Sequence, residues 1–224
     1  MSEQVTQILL PGGEWLPSLL AAFKVAGLEL RTNNPRCFRY TLAEQNMPIV
    51  FDVVRSREVP SILAEPECFA VAGLSGTDIF TENRVNADWI FPLLALIPSA
   101  PQASLYLGLT PNYQGDVEAL DLSGSVIYTT YPNITRQYLR EYPSVSVVKR
   151  GGKIEGLWRF SPRNRAVVDI SSSGATARAN DIRVVREIMR PEVGLQIGST
   201  ATPTDLLRLN DLQEKLYLAT RDIN

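Results

Sequence analysis

The chain has 224 residues, 45% hydrophobic and 21% charged, with a formal net charge of −2. That is ordinary globular composition, with length for one large domain or two small ones. There is no histidine, which excludes Ser-His-Asp and Cys-His hydrolases and any mechanism needing an imidazole base. Cys37 and Cys68 have no metal-like spacing and read as buried structural thiols. No basic run suggests nucleic acid. No apolar run approaches the roughly 20 residues that span a bilayer, and the N-terminus lacks a signal-like pattern. The expectation is a cytoplasmic protein with neither a membrane nor a nucleic-acid partner.

Residues 5–10, VTQILL, form an apolar run that ends at Pro11-Gly12-Gly13. Leu16, Leu19, Leu20 and Phe23 then fall at helical spacing, with Pro17 in the first turn and Gly27 at the end. A second strand, Ile49 to Val54, leads to Arg55 and a helix near Val59–Ala64. Arg55 at a strand's C-terminal end either faces a cleft or is a solvated surface arginine. Residues 69–82 give a strand, then Gly73, Gly76 and Asp78 opening a short helix. Ile97–Gln102 reads as a crossover. Ala103–Leu109 and Ser125–Thr129 are strands, and Tyr131-Pro132-Asn133-Ile134-Thr135-Arg136 opens a helix running to about Tyr142. Val145–Val148 is a strand, followed by Lys149, Arg150 and Glu155.

Residues 166–180, AVVDISSSGATARAN, hold the most informative pattern. A buried strand ends in Asp169, then Ser171, Ser172, Ser173, Gly174, Ala175 and Thr176 form a loop of small and hydroxyl-bearing residues that opens a helix. Free N–H groups at a helix start, with room for close approach, suit a phosphate. A plain Ser/Gly turn has the same composition. There is neither a P-loop lysine nor a GxGxxG, so the commoner phosphate loops do not fit. Val184–Met189 and Gly194–Ile197 are strand-like. A last helix, from about Thr204 to Ile223, carries Leu206, Leu209, Leu212 and Leu216 along one face for packing. Strands alternating with helices imply an α/β chain with mainly parallel sheets.

The loop resembles the phosphoribosyl-pyrophosphate motif of ATP phosphoribosyltransferase, D-[IL]-V-x-T-G-x-T-L-x-x-N, at Asp169, Gly174, Thr176 and Asn180. Ser173 and Ala177 replace its usual Thr and Leu. Further matches are Leu10-Pro11 with Ala26-Gly27-Leu28, the stretch from Arg55 to Pro60, the glycines after residue 72, the Tyr131–Arg136 segment and Glu155. The resemblance runs from Ile8 to about Ser199. Gly12 and Glu14 depart from it, standing where the family has Lys and Arg, and Val71 replaces an Asp. Glu14 is alternatively a first-turn acid that favours the helix.

The resemblance implies two lobes like those of type II periplasmic binding proteins, with the active site in the cleft between them. Lobe I takes residues 1–100 with 184–224, and lobe II takes 101–183. It implies transfer of the 5-phosphoribosyl group from phosphoribosyl pyrophosphate to N1 of ATP, the first step of histidine biosynthesis, with Mg²⁺ brought by the substrate pyrophosphate. Ser171 to Thr176 would hold the 5-phosphate, and Asp169 and Glu155 would lie near the ribose hydroxyls or the metal. Gly12, Gly13, Glu14, Arg55, Gly73, Tyr131, Lys149 and Arg150 would face nucleotide or acceptor. The length resembles the family's short form, which implies a homo-oligomer working with a regulatory subunit related to histidyl-tRNA synthetase. Two other readings stay open: a paralogue using the same donor with another acceptor, and a non-catalytic ligand-binding or regulatory protein on this fold.

Overall fold

The structure, a computed structural model, describes residues 5–34, 36, 38–42 and 47–222. Cys37 and Ile223 lie outside the described residues. The chain divides into two compact units, residues 1–101 with 192–224 and residues 102–191.

The first unit begins with β1 (Thr6–Pro11), α1 (Trp15–Val25), β2 (Leu30–Arg31), β3 (Arg39–Leu42), β4 (Ile49–Val54) and α2 (Val59–Leu63). It continues with β5 (Ala72–Gly76), α3 (Thr77–Glu82), β6 (Trp89–Ile90) and α4 (Leu93–Leu96). The second unit holds β7 (Ser104–Leu109), β8 (Val126–Thr129), α5 (Pro132–Tyr138), β9 (Ser146–Lys149), β10 (Asn164–Ser171), α6 (Ala175–Ala179) and β11 (Arg183–Met189). The chain then returns to the first unit with β12 (Val193–Ile197) and α7 (Pro203–Arg221).

In the first unit, a sheet of order β2-β3-β4-β1-β5-β12-β6 is parallel at its centre, where β1 pairs with β4 and β5. Its remaining pairings are antiparallel. In the second, of order β11-β7-β10-β8-β9, β10, β8 and β9 run parallel, and β7 is antiparallel to both of its neighbours, β10 and β11. The expectation of mainly parallel sheets therefore holds only for the strands next to the helical crossovers. Short returns such as β2 to β3 can pair only antiparallel. β11 pairs with β7 and so lies in the second unit, whereas the resemblance implies lobe I from residue 184 onward.

The first core forms where α1, α4 and α7 cover the sheet. Phe23 of α1 meets Phe51 of β4 with ring centroids 5.2 Å apart, and Phe91 at 5.4 Å. Helix α1 stops where Gly27 takes φ of 74°. The Gly27 N–H donates to Lys24 O and the Leu28 N–H to Phe23 O, the paired bonds of a Schellman closure.

Helix α7 buries Leu209, Leu212 and Leu216, but Leu206 is exposed and Asp205 takes the buried position one turn before Leu209. Asp205 accepts the Thr202 N–H at 3.0 Å and the Thr6 hydroxyl at 2.7 Å, and returns the bond pattern of a capping box. Burial pushes its pKa up, but the Thr202 and Thr6 hydroxyls, the Thr202 N–H and the Arg208 charge outweigh it, so the net shift is downward.

Cys68 is a half-buried free thiol beside the cluster of Leu9, Val59, Leu63 and Phe80. Among the described residues no helix is long and apolar enough to cross a membrane.

Candidate active site

Strand β10 is the central strand of the second sheet, so its side chains alternate between two covered faces. Asp169 sits near its C-terminal end, 9% exposed, opposite Tyr106 of β7 in the antiparallel register. One Asp169 oxygen, Oδ1, accepts the Ile170 N–H at 2.9 Å. The strand extends through Ser171, and the loop after it folds on its own hydroxyls: Ser171 Oγ accepts the Gly174 N–H at 2.8 Å, and Ser173 Oγ the Ala175 N–H at 3.3 Å. These serine oxygens accept the bonds that the phosphate-cradle reading assigns to a ligand, so a phosphate must displace or share them. Ser172, Ala175 and Thr176 are exposed.

Gly174 begins α6 with φ of 65°, a left-handed conformation that disfavours a side chain. The helix closes after one turn. Asn180 Nδ2 donates to Thr176 O at 3.0 Å, and Asn180 in turn accepts the Trp158 indole N–H at 3.1 Å and Arg159 Nη1 at 3.0 Å. Asn180 of the motif is thus a clasp between α6 and the 3-10 turn Leu157–Phe160.

Glu155 is 5% exposed and directly follows Ile154, which packs with Tyr106, Val167, Ala177 and Ile182 in one cluster. The Tyr106 phenol has its pKa raised well above the ordinary range, first by burial and then by the negative charges of Asp169 and Glu155. Asp169, Glu155 and Tyr106 therefore share one buried neighbourhood. In the sequence Tyr106 reads as one more strand aromatic. Only the register with β10 reveals its place.

Strands β8, β9 and β10 are parallel, so their C-terminal ends lie on one edge of the sheet. At the end of β8, Thr129 Oγ1 accepts the Tyr131 N–H at 2.9 Å, and the Thr135 hydroxyl donates to Tyr131 O at 2.7 Å. The Tyr131–Arg136 segment is thereby a tightly bonded strand-to-helix turn, with Tyr131 buried. At the end of β9, Lys149 is exposed, and the Arg150 guanidinium lies over the Tyr128 ring at 5.3 Å. That stacking holds a cation on the same edge as the Ser171–Thr176 loop.

The first unit has a corresponding edge, where β1 and β4 end side by side. Gly12 donates its N–H to Val54 O at 2.7 Å, Gly13 has φ of 90°, and Glu14 is an exposed residue at the start of α1. The Arg55 side chain is 82% exposed and 3.8 Å from Glu58, an exposed pair worth little energetically. Gly73 does not join this set. It lies inside β5, where a Cβ would come within 2.6 Å of Val59 Cγ1 and 3.2 Å of Leu9 Cβ, so its lack of a side chain serves the packing of α2 on the sheet.

The family model described as ATP phosphoribosyltransferase matches residues 55–217. The chain belongs to the ATP phosphoribosyltransferase family. An ATP phosphoribosyltransferase of Methanopyrus kandleri is 25% identical over 204 residues, covering 88% of this chain and 64% of its own length. The chain thus spans under two thirds of that relative. One from Caldanaerobacter subterraneus subsp. tengcongensis is 23% identical, covering 95% of this chain and 96% of that protein. Among solved structures, the ATP phosphoribosyl transferase (HisG:HisZ) complex from Thermotoga maritima has a chain that superposes with a TM-score of 0.72 at 18% identity, covering 97% of this chain and 100% of that one. The periplasmic VFT2 domain of Bordetella pertussis BvgS reaches 0.52 at 13% identity, covering 99% of this chain and 94% of that one. At such identities these two likenesses concern the fold, which this ATP phosphoribosyltransferase family member shares with periplasmic-binding-protein-like domains.

Proposed function

We propose that this chain transfers the 5-phosphoribosyl group of phosphoribosyl pyrophosphate to N1 of ATP, the opening reaction of histidine biosynthesis. The supporting observation is that the ribosyl-donor motif stands at the edge where β8, β9 and β10 end, with Asp169 and Glu155 buried beside it. In the reaction the C1–oxygen bond to pyrophosphate breaks, its electron pair leaves with pyrophosphate, and the N1 lone pair bonds to C1. Positive charge develops on the ribosyl ring, and buried carboxylates stabilise it without a titrating base, which suits a chain with no histidine.

The Ser171–Thr176 loop holds the 5-phosphate, and Lys149, Arg150 and Arg55 are the cations for pyrophosphate or nucleotide. Among the described residues no three Cys, Asp or Glu groups converge as a metal cage. Mg²⁺ fits such a site in its usual way, through substrate phosphates and one or two carboxylates. Asp169 and Glu155 supply oxygen donors of the right kind, and the ion would neutralise charge on the leaving pyrophosphate. A homo-oligomer in the cytoplasm, joined by a regulatory subunit, completes the proposal. The complex named for the Thermotoga maritima structure supports the regulatory partner.

A second reading, the same donor with another acceptor, rests on Glu14, an exposed carboxylate where the family carries a cation. The double variant Gly12→Lys, Glu14→Arg separates the two. A Cβ at Gly12 would meet Val53 Cγ1 at 3.3 Å and Val54 O at 3.4 Å, so a side chain there needs a shift of only a few tenths of an ångström. If ATP is the acceptor, steady-state kinetics should give an ATP KM about tenfold lower, the worth of roughly one charge-assisted contact, with the donor KM unchanged. An unchanged ATP KM favours the other acceptor.

A further inference from the structure

The Tyr106 hydroxyl is buried and has no hydrogen-bond partner among the described residues, in a residue only 3% exposed. Buried hydroxyls are nearly always paired, because an orphan has given up its water bonds for nothing. The ring is held firmly. Ile154, Val167, Ala177 and Ile182 pack around it, and the bare Gly108 gives it room, since a Cβ there would lie 3.0 Å from Tyr106 Cε2. On one side its cross-strand partner is Asp169, and on the other it is Glu187. Glu187 is exposed and accepts bonds from Arg190 and Ser104, so it does not serve the phenol.

The chemistry of these groups selects the ligand group that fits between them. A phosphate oxygen would face the negative charges of Asp169 and Glu155. A cation held by the carboxylates, Mg²⁺ included, offers no lone pair to the phenol O–H, which still needs an acceptor. A sugar hydroxyl does both, donating its proton to a carboxylate while its oxygen accepts from the phenol.

We propose that Tyr106 is a specificity-determining residue that reads the ribose diol of the donor, its hydroxyl donating to a ribose oxygen whose proton is held by Asp169 or Glu155. This rests on the ribosyl-donor reading given above. It separates recognition of the sugar, by Asp169, Glu155 and Tyr106, from recognition of the 5-phosphate by the loop.

The test is Tyr106→Phe in the full chain, measured by calorimetric titration with phosphoribosyl pyrophosphate and Mg²⁺ and by thermal unfolding without ligand. Phe keeps the ring and removes only the orphan hydroxyl. Affinity for the donor should fall roughly fivefold to tenfold, as for one lost hydrogen bond, while the unfolding temperature stays level or rises. Unchanged affinity in the variant, with the unaltered chain binding normally, overturns the role of Tyr106 alone. A lowered unfolding temperature overturns it too, by showing that the hydroxyl has a partner within the fold. Failure of the unaltered chain to bind the donor overturns this inference together with the donor reading beneath it.

Discussion

Gly174→Val is expected to abolish binding of phosphoribosyl pyrophosphate. Space alone would not give so large an effect: a Cβ at Gly174 would meet only Arg178 Nη1, at 3.0 Å, the far end of a flexible side chain. The stronger reason is the backbone. At φ of 65° an L-residue pays about 1–2 kcal/mol, and a β-branched one more. Gly174 also donates to Ser171 and accepts from the Arg178 N–H at 3.0 Å. A residue that leaves the left-handed region must give up one of these bonds, and with it the loop that presents the N–H groups. Calorimetric titration should show donor affinity at least about a hundredfold weaker, equivalent to about 2.7 kcal/mol. Gly174→Asn, which tolerates the left-handed region, should keep most of it. Unchanged affinity in the Val variant would sink the assignment of the loop to the 5-phosphate.

The second large effect is expected from Asp169→Asn. The substitution keeps an oxygen that can accept the Ile170 N–H and removes the charge. Thermal unfolding should therefore move little, while kcat/KM falls by about 10²-fold to 10³-fold, the usual cost of removing one preorganised group that stabilises charge in the transition state. The loss should appear in kcat more than in the donor KM, because the ribosyl cation exists only on the way to product. A variant that loses stability but keeps its turnover would make Asp169 a structural residue.

Much of this arrangement can be read in the sequence where local rules decide. Strand β4 begins and ends where its apolar run does, and α1 ends at the glycine that its periodicity marks. The Tyr131–Arg136 segment and the Ser171–Thr176 loop both stand at strand-to-helix turns, as their residues suggest. What stayed hidden depends on long-range pairing. Nothing local says that β7 runs antiparallel beside β10, so nothing local puts Tyr106 opposite Asp169. Strands β2 and β6 have two residues each, too short for a period-2 pattern.

Gly73 looks like a loop glycine because turn-forming Gly76 and Asp78 follow it, yet its neighbours are Val59 and Leu9 from other elements. The buried stripe on α7 starts one residue away from where the leucine spacing puts it, for a related reason. Leu206 fits the spacing of three to Leu209, but Asp205 fits the spacing of four, and its bond to Thr6, 199 positions away, settles which one is buried. Polar residues that satisfy a distant partner cannot be recognised as core from periodicity alone.

The central claim is tested most directly by pyrophosphate release from phosphoribosyl pyrophosphate on the isolated chain with Mg²⁺, with and without ATP. The account predicts release that depends on ATP and yields a phosphoribosylated nucleotide in equal amount. Binding of the donor without any ATP-dependent release would contradict ATP as the acceptor.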